Sequence, residues 1–219
     1  MKNEIEKMLE LYFIAGTQDT KDRSLPDVLK EALEAGITCF QYREKGQGSL
    51  TDHEEIKKMA KTCLDLCKKA GVPFVVNDDV SLAVDIGADG VHVGQDDLAI
   101  EETIDLAGSD MFVGLSVNNL KEFKIAEKID GVSYIGIGPV YSTYSKADAK
   151  ETIGLGFIEK VVAQKSKKPI VAIGGISEER AVLVRKTGVS GIAVISAITK
   201  STDIKKTVTT LKKLNKNEV

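Results

Sequence analysis

Asp78 and Asp97 each follow a short apolar run, and Asp79 and Asp96 stand beside them as alternatives that spacing alone does not separate. A pair of hard carboxylates with few other protein donors suits Mg²⁺, which keeps waters of its own and bridges to phosphate oxygens. The matching cations are Arg43, Lys45 and Lys146. One residue separates Arg43 from Lys45, so an extended strand end directs both the same way. Arginine brings a bidentate fork and lysine a mobile point charge. Gln41 and Asn77 are uncharged donor–acceptors suited to a heterocycle edge or a diphosphate oxygen.

A second anion site is written near the C-terminus. Gly174-Gly175-Ile176-Ser177 ends one apolar run, and Ile195-Ser196-Ala197 ends the next and enters a helix. Glycine lets backbone N–H groups approach oxygens closely, and a helix N-terminus adds a favourable field. A tight turn is the plainer account of the two glycines; with Ser196 present, phosphate binding is preferred. No Ser-His-Asp or Cys-His arrangement supports covalent catalysis. Cys39, Cys63 and Cys67 read as packed thiols, His53 as a solvated residue or cap, and His92 as a satisfied, semi-buried ring.

The elements that must position these groups alternate strictly. Short β-branched runs near residues 11–14, 38–42, 73–77, 90–93, 112–116, 133–137, 169–173 and 191–195 alternate with segments of helical period. Pro26 opens a helix that Gly36 stops, and a longer helix runs from Thr51 to Gly71. Gly87, Gly131 and Gly188 fall between helix and strand, where a left-handed stop is useful. Strands apolar on both faces and separated by helices demand a buried parallel sheet. Nearly every run ends in polar residues. A closed (β/α)8 TIM barrel, one domain over residues 1–219, gathers those ends at one mouth better than a doubly wound open sheet does.

The chain has 219 residues, 42% hydrophobic and 29% charged, with a formal net charge of −3. That balance gives no reason to expect nucleic acid or an anionic membrane as partner, so anionic ligands must be held by local clusters. The charged N-terminus lacks a signal-peptide core and no run reaches membrane-spanning length, so the expected location is cytoplasmic.

Several segments together resemble the thiamine-phosphate synthase (thiamine-phosphate pyrophosphorylase) family along nearly the whole chain. They are Gln41-Tyr42-Arg43-Glu44-Lys45, Asn77-Asp78, the stretch from Gly90 to Asp97, Gly138-Pro139-Val140 with Thr143 to Lys146, and Ala172 to Ile176. The resemblance implies a barrel that joins 4-amino-5-hydroxymethyl-2-methylpyrimidine diphosphate to 4-methyl-5-(2-hydroxyethyl)thiazole phosphate, releasing pyrophosphate. Gln41, Tyr42, Arg43, Glu44, Lys45, Asn77, Ser116 and Lys146 then correspond to the pyrimidine-diphosphate site. Arg43, Lys45, Lys146 and Ser116 are its catalytic members. Thr143, Tyr144, Ser145, Gly175, Ile195 and Ser196 correspond to the thiazole-phosphate site. Asp78 and Asp97 correspond to the ligands of one Mg²⁺ per active site. Small molecules are the expected partners, and a homo-oligomer is compatible with the family.

Tyr42 stands where the family usually has an aliphatic residue, Ser142 where proline is common and Ser145 where threonine is common. The related thiazole tautomerase resembles a Ser-Val-His-Ser stretch after the fifth strand, whereas this chain has Ser116-Val117-Asn118-Asn119. The missing histidine and the retained acidic pair favour the synthase. The joint presence of Arg43, Lys45, Asp78, Asp97 and Lys146 also argues against an inactive phosphate-sensing barrel.

Overall fold

A computed structural model describes residues 2–20, 22–95, 99–143 and 151–213. Asp96, Asp97, Tyr144, Ser145 and Lys146 lie outside the described residues. The first half of the chain runs α1 (Lys2–Leu9), β1 (Leu11–Ala15), α2 (Leu25–Ala35), β2 (Cys39–Tyr42), α3 (His53–Ala70), β3 (Phe74–Asn77), α4 (Val80–Ile86) and β4 (Gly90–Val93). The second runs α5 (Ile100–Ala107), β5 (Phe112–Val117), α6 (Leu120–Ala126), β6 (Val132–Ile137), α7 (Gly154–Val162), β7 (Ile170–Ile173), α8 (Glu178–Lys186), β8 (Gly191–Val194), α9 (Ser196–Thr199) and α10 (Ile204–Lys213). The strands pair in chain order, all parallel, and β1 closes on β8. All eight strands expected from the sequence are present, within a residue or two at their ends.

Alternation along the strands sorts side chains into two layers. Leu11, Phe13, Phe40, Tyr42, Phe74 and Val76 pack outward against the helices. Tyr12, Ile14, Cys39, Val75, Tyr134, Val171 and Ala193 fill the barrel itself. Ile5, Met8 and Leu9 of α1 join this inner cluster and plug its N-terminal end. Gly191 admits that plug, because a Cβ there would lie 1.7 Å from the Leu9 carbonyl oxygen. Arg185 ties the same end, its Nη2 donating to the carbonyls of Glu10 and Leu211 at 3.0 and 3.1 Å. Burial lowers the pKa of this guanidinium to about 10.

Local chemistry sets the helix ends. Ser24 caps α2 and Gly36 ends it at φ 98°. The helix expected from Thr51 starts two residues later, because Asp52 accepts the N–H groups of Glu54 and Glu55 as its cap. Gly71 and Gly87 close α3 and α4 in left-handed geometry, as glycine permits without steric cost. Gly131 and Gly188 also take positive φ, but one residue or more beyond the helix cap. The three cysteines are buried and unbridged, as packed thiols should be. No described helix is long and apolar enough to cross a membrane.

Candidate active site

The C-terminal end of β2 splits its residues between the two layers. Gln41 points into the barrel, where its Nε2 donates to Tyr12 Oη at 2.9 Å. Tyr42 points the other way. Its ring stacks on Phe74 and its hydroxyl reaches the Ile56 carbonyl of α3. The structure therefore brings Gln41, but not the Tyr42 side chain, to the barrel interior; Tyr42 fills a helix-facing slot. Burial, with Glu44 nearby, pushes the Tyr42 phenol far above the ordinary range, so it stays neutral.

Arg43 is 4% exposed and is held from behind. Its N–H donates to the Ala15 carbonyl at 3.0 Å, and its own carbonyl accepts from Gln18 Nε2 at 2.8 Å. The loop after β1 thus braces the arginine, and Gly16 lets the strands meet, since a Cβ there would lie 2.1 Å from the Arg43 carbonyl oxygen. Asp19 accepts from Gly16 N and Gln18 Nε2 in that loop, and its burial raises its pKa despite the nearby Arg43. Glu44 is occupied elsewhere: it accepts from Thr17 N, Thr17 Oγ1 and Leu50 N, and so fastens the loop that carries Lys45. These braces were not legible as site residues.

Lys45 crosses to the next strand end, its Nζ 2.7 Å from Asp78 Oδ2. Asp78 sits at φ 62°, an uncommon backbone for a non-glycine residue, with its N–H on the His92 carbonyl at 2.9 Å. Asp79 is spent differently. Its Oδ1 caps α4 by accepting from Leu82 N at 2.9 Å, which separates two aspartates that spacing left open. Asn77, half-buried, closes β3 beside them.

Across the barrel, Ser116 on β5 is 2.8 Å from His92 Nε2. His92 Nδ1 is 3.0 Å from Tyr134 Oη, which is 3.0 Å from Tyr12 Oη. His92 is thus a satisfied ring, as its setting in a strand suggested. Burial keeps both phenols neutral. Asn118, where the tautomerase-like stretch has histidine, donates through Nδ2 to the Gly138 carbonyl and ties the β5 loop to the β6 loop.

The glycine turn after β7 packs against that same β6 loop. Gly174 and Gly175 have φ of 107° and 60°. A Cβ on Gly174 would come within 2.5 Å of Pro139 Cβ, and one on Gly175 within 2.6 Å of the Ser142 carbonyl oxygen. Arg180 braces the turn by donating from Nη1 to the Gly175 carbonyl at 2.9 Å while its guanidinium lies 4.7 Å over the Tyr141 ring. Ile195 is the N-cap of α9 and Ser196 its first residue. The N–H at such a helix start has no intrahelical acceptor and faces outward. Thr143 ends the described part of the β6 loop.

A closed parallel barrel with cations, carboxylates and a glycine turn gathered at its strand ends defines the class: this is a (β/α)8 barrel enzyme. Its sequence matches the family model of thiamine monophosphate synthase over residues 11–198. Thiamine-phosphate synthase of Listeria monocytogenes serotype 4b is 51% identical over 204 residues, covering 93% of this chain and 95% of that one. The enzyme of the same name from Pasteurella multocida is 48% identical over 210 residues, with the same coverage of 93% and 95%. The solved thiamine phosphate pyrophosphorylase from Pyrococcus furiosus is 37% identical, covers 96% of each chain and superposes with a TM-score of 0.84. The chain belongs to the thiamine monophosphate synthase family, and it is a transferase of thiamine biosynthesis.

Proposed function

We propose that this protein joins 4-amino-5-hydroxymethyl-2-methylpyrimidine diphosphate to 4-methyl-5-(2-hydroxyethyl)thiazole phosphate, giving thiamine phosphate and pyrophosphate. The observation that carries the reading is the pairing of Lys45 with Asp78 at 2.7 Å beside the buried Arg43. Cations and a carboxylate side by side at one strand-end mouth are what a metal-bound diphosphate needs. Gln41 and Ser116 flank the barrel interior where a pyrimidine would sit. Lys146 adds a third cation to the same reading. Gly175, Ile195 and Ser196, with Thr143, Tyr144 and Ser145, take the thiazole phosphate.

The donor set suits a hard divalent ion. Among the described residues no group of three or more His, Cys, Asp or Glu could hold a metal. Two carboxylates, Asp78 and Asp97, completed by water and phosphate oxygens, would hold it in the mode Mg²⁺ favours. When bound there, Mg²⁺ supplies charge stabilisation to the leaving diphosphate.

The C–O bond between the pyrimidine methylene and the diphosphate breaks first, and the electron pair leaves with pyrophosphate. Arg43 and Lys45, with Lys146, hold the growing negative charge. The amino group of the ring stabilises the methylene cation. The lone pair of the thiazole nitrogen then forms the new C–N bond, and no proton has to be removed from that nitrogen. Holding both partners in one mouth lowers the entropic part of the barrier. Asn118 offers no titratable ring nitrogen for the proton shuttling of a tautomerase.

The direct test is incubation of the protein with both phosphorylated precursors and Mg²⁺, following thiamine phosphate and pyrophosphate together. Equal amounts of the two products are expected. Pyrophosphate without thiamine phosphate, or neither product, would overturn the reading.

A further inference from the structure

Gln41 and Ser116 are the two ends of one buried hydrogen-bond chain. It runs Gln41 Nε2 to Tyr12 Oη at 2.9 Å, Tyr12 Oη to Tyr134 Oη at 3.0 Å, Tyr134 Oη to His92 Nδ1 at 3.0 Å and His92 Nε2 to Ser116 Oγ at 2.8 Å. Five residues from β2, β1, β6, β4 and β5 cross the barrel without interruption. The fold makes room for the chain at two glycines. A Cβ on Gly114 would lie 2.2 Å from Tyr134 Cζ and 2.4 Å from His92 Nδ1. A Cβ on Gly136 would lie 3.0 Å from His92 Cε1.

When every proton is directed along it, such a chain has two polarities, because each hydroxyl has one proton and a neutral imidazole has one N–H. Gln41 selects between them. With its amide N–H on Tyr12 Oη, the chain is fully directed when Tyr12 donates to Tyr134 and Tyr134 donates to His92 Nδ1. In that direction His92 carries its proton on Nε2 and donates to Ser116, which leaves the serine O–H to donate into the mouth. At the other end Gln41 keeps Oε1 as its acceptor, beside one N–H that the chain does not use. Turning the amide over reverses every link and exchanges the roles of the two ends.

We infer that Tyr12, Tyr134 and His92 are positioning residues that orient the Gln41 amide, Oε1 toward the mouth, together with Ser116 as donor, and so set the hydrogen-bond pattern demanded of the bound heterocycle. The inference rests on the proposed pyrimidine site. A ring with an exocyclic amine toward β2 and an unprotonated ring nitrogen toward β5 satisfies both ends. A pyrimidone, with carbonyl in place of that amine, places an acceptor against the acceptor. Coupling the ends makes discrimination collective: one wrong partner has to be accommodated by reversing all four bonds.

The first readout uses the full chain without substrates, so that it stands apart from the activity assay. The sequence has two histidines, and His53 is exposed, so their signals separate readily. Long-range ¹H–¹⁵N correlation spectra distinguish an Nε2–H from an Nδ1–H imidazole. The wild type is expected to show His92 as Nε2–H. In Gln41→Glu the introduced carboxylate only accepts, Tyr12 turns its proton toward it, and His92 is expected to change to Nδ1–H. Should that variant not fold, Tyr134→Phe, which keeps the ring and removes one hydroxyl, is expected to leave a mixture of the two tautomers. In the same Tyr134→Phe protein, KM for the pyrimidine diphosphate should rise about tenfold while KM for the thiazole phosphate stays unchanged. A wild-type Nδ1–H tautomer, a tautomer indifferent to both substitutions, or equal effects on the two KM values would overturn the inference. Failure to form thiamine phosphate at all would instead defeat the underlying functional reading and leave the tautomer result intact.

Discussion

Gly175 and Gly71 form a matched pair from which the contribution of the glycine turn can be isolated. Both have left-handed backbones, with φ of 60° and 66°. A Cβ on Gly71 meets nothing within 4 Å, whereas one on Gly175 lies 2.6 Å from the Ser142 carbonyl oxygen and 2.8 Å from Tyr141 Cβ. Gly71→Ala therefore carries only the left-handed penalty, about 1–2 kcal/mol. For 219 residues, an unfolding entropy near 2.1 cal/mol/K per residue makes each kcal/mol worth about 2 °C in Tm. The expected shift for Gly71→Ala is then about 2–4 °C, with activity unchanged, since Gly71 ends a helix at the N-terminal side of the barrel. Gly175→Ala adds a backbone collision that the β6 loop must relieve by moving, an overpacking cost of about 1–3 kcal/mol. Its Tm should fall by about 4–10 °C in all. KM for the thiazole phosphate should rise in this variant alone, because the displaced loop leads into the residues assigned to that phosphate. Thermal denaturation with steady-state kinetics on both variants checks this. Equal Tm shifts and an unchanged thiazole-phosphate KM would show that the turn neither packs nor binds as argued.

Two other perturbations have defined outcomes. Asp78→Gly relieves the positive φ and loses a partly exposed ion pair worth about 1 kcal/mol or less, so Tm should stay within about 2 °C of wild type while turnover collapses. Mg²⁺ titration after EDTA should restore the wild type and not the variant, and full activity of EDTA-treated wild type would refute the metal assignment. The thiols should be silent in the native protein. Burial holds Cys63 up to about 12 and raises Cys39 and Cys67 as well. At pH 8 the thiolate of a group near 12 is about a thousandfold scarcer than that of an ordinary thiol. Colorimetric thiol titration should find none reacting promptly in the native state and three after denaturation, with the slow native rate still climbing past pH 10. One fast thiol at pH 8 would contradict the burial.

The fold was legible because its strands are buried on both faces and therefore read as short apolar runs, each closed by polar residues. Double burial also hid something. With both faces apolar, the sequence does not say which residues of a strand face inward, and so Tyr42 reads as a neighbour of Gln41 and Arg43 although its ring lies in the helix layer. Helix α1 was equally hidden. Its stripe is only Ile5, Met8 and Leu9 among charges, and its role as a plug depends on the barrel it closes. The buried chain could not be read locally at all. Tyr12 and Tyr134 are 122 residues apart, and each alone is an ordinary core aromatic. The brace of Gln18 and Asp19 behind Arg43 depends in the same way on β1 lying beside β2.

Energetics set Asp78 apart from a purely structural aspartate. Its ion pair with Lys45 is short, but the side chains are 25% and 44% exposed, so water screens most of the attraction. What remains is comparable to the cost of holding an aspartate at φ 62°. The two contributions roughly cancel, so stability gives no reason for an aspartate at this position. Asp79 is the contrast: it caps α4 in ordinary geometry, and its role is complete without any ligand. A carboxylate held at a backbone cost beside a lysine and a buried arginine is placed for something outside the fold. Lys45 neutralises that carboxylate in the free protein, and on the proposed function a metal-bound diphosphate would supply partners to both. The cation would then turn to the phosphate oxygens and the carboxylate to the metal, exchanging one screened ion pair for two stronger contacts in a site from which substrate has displaced water.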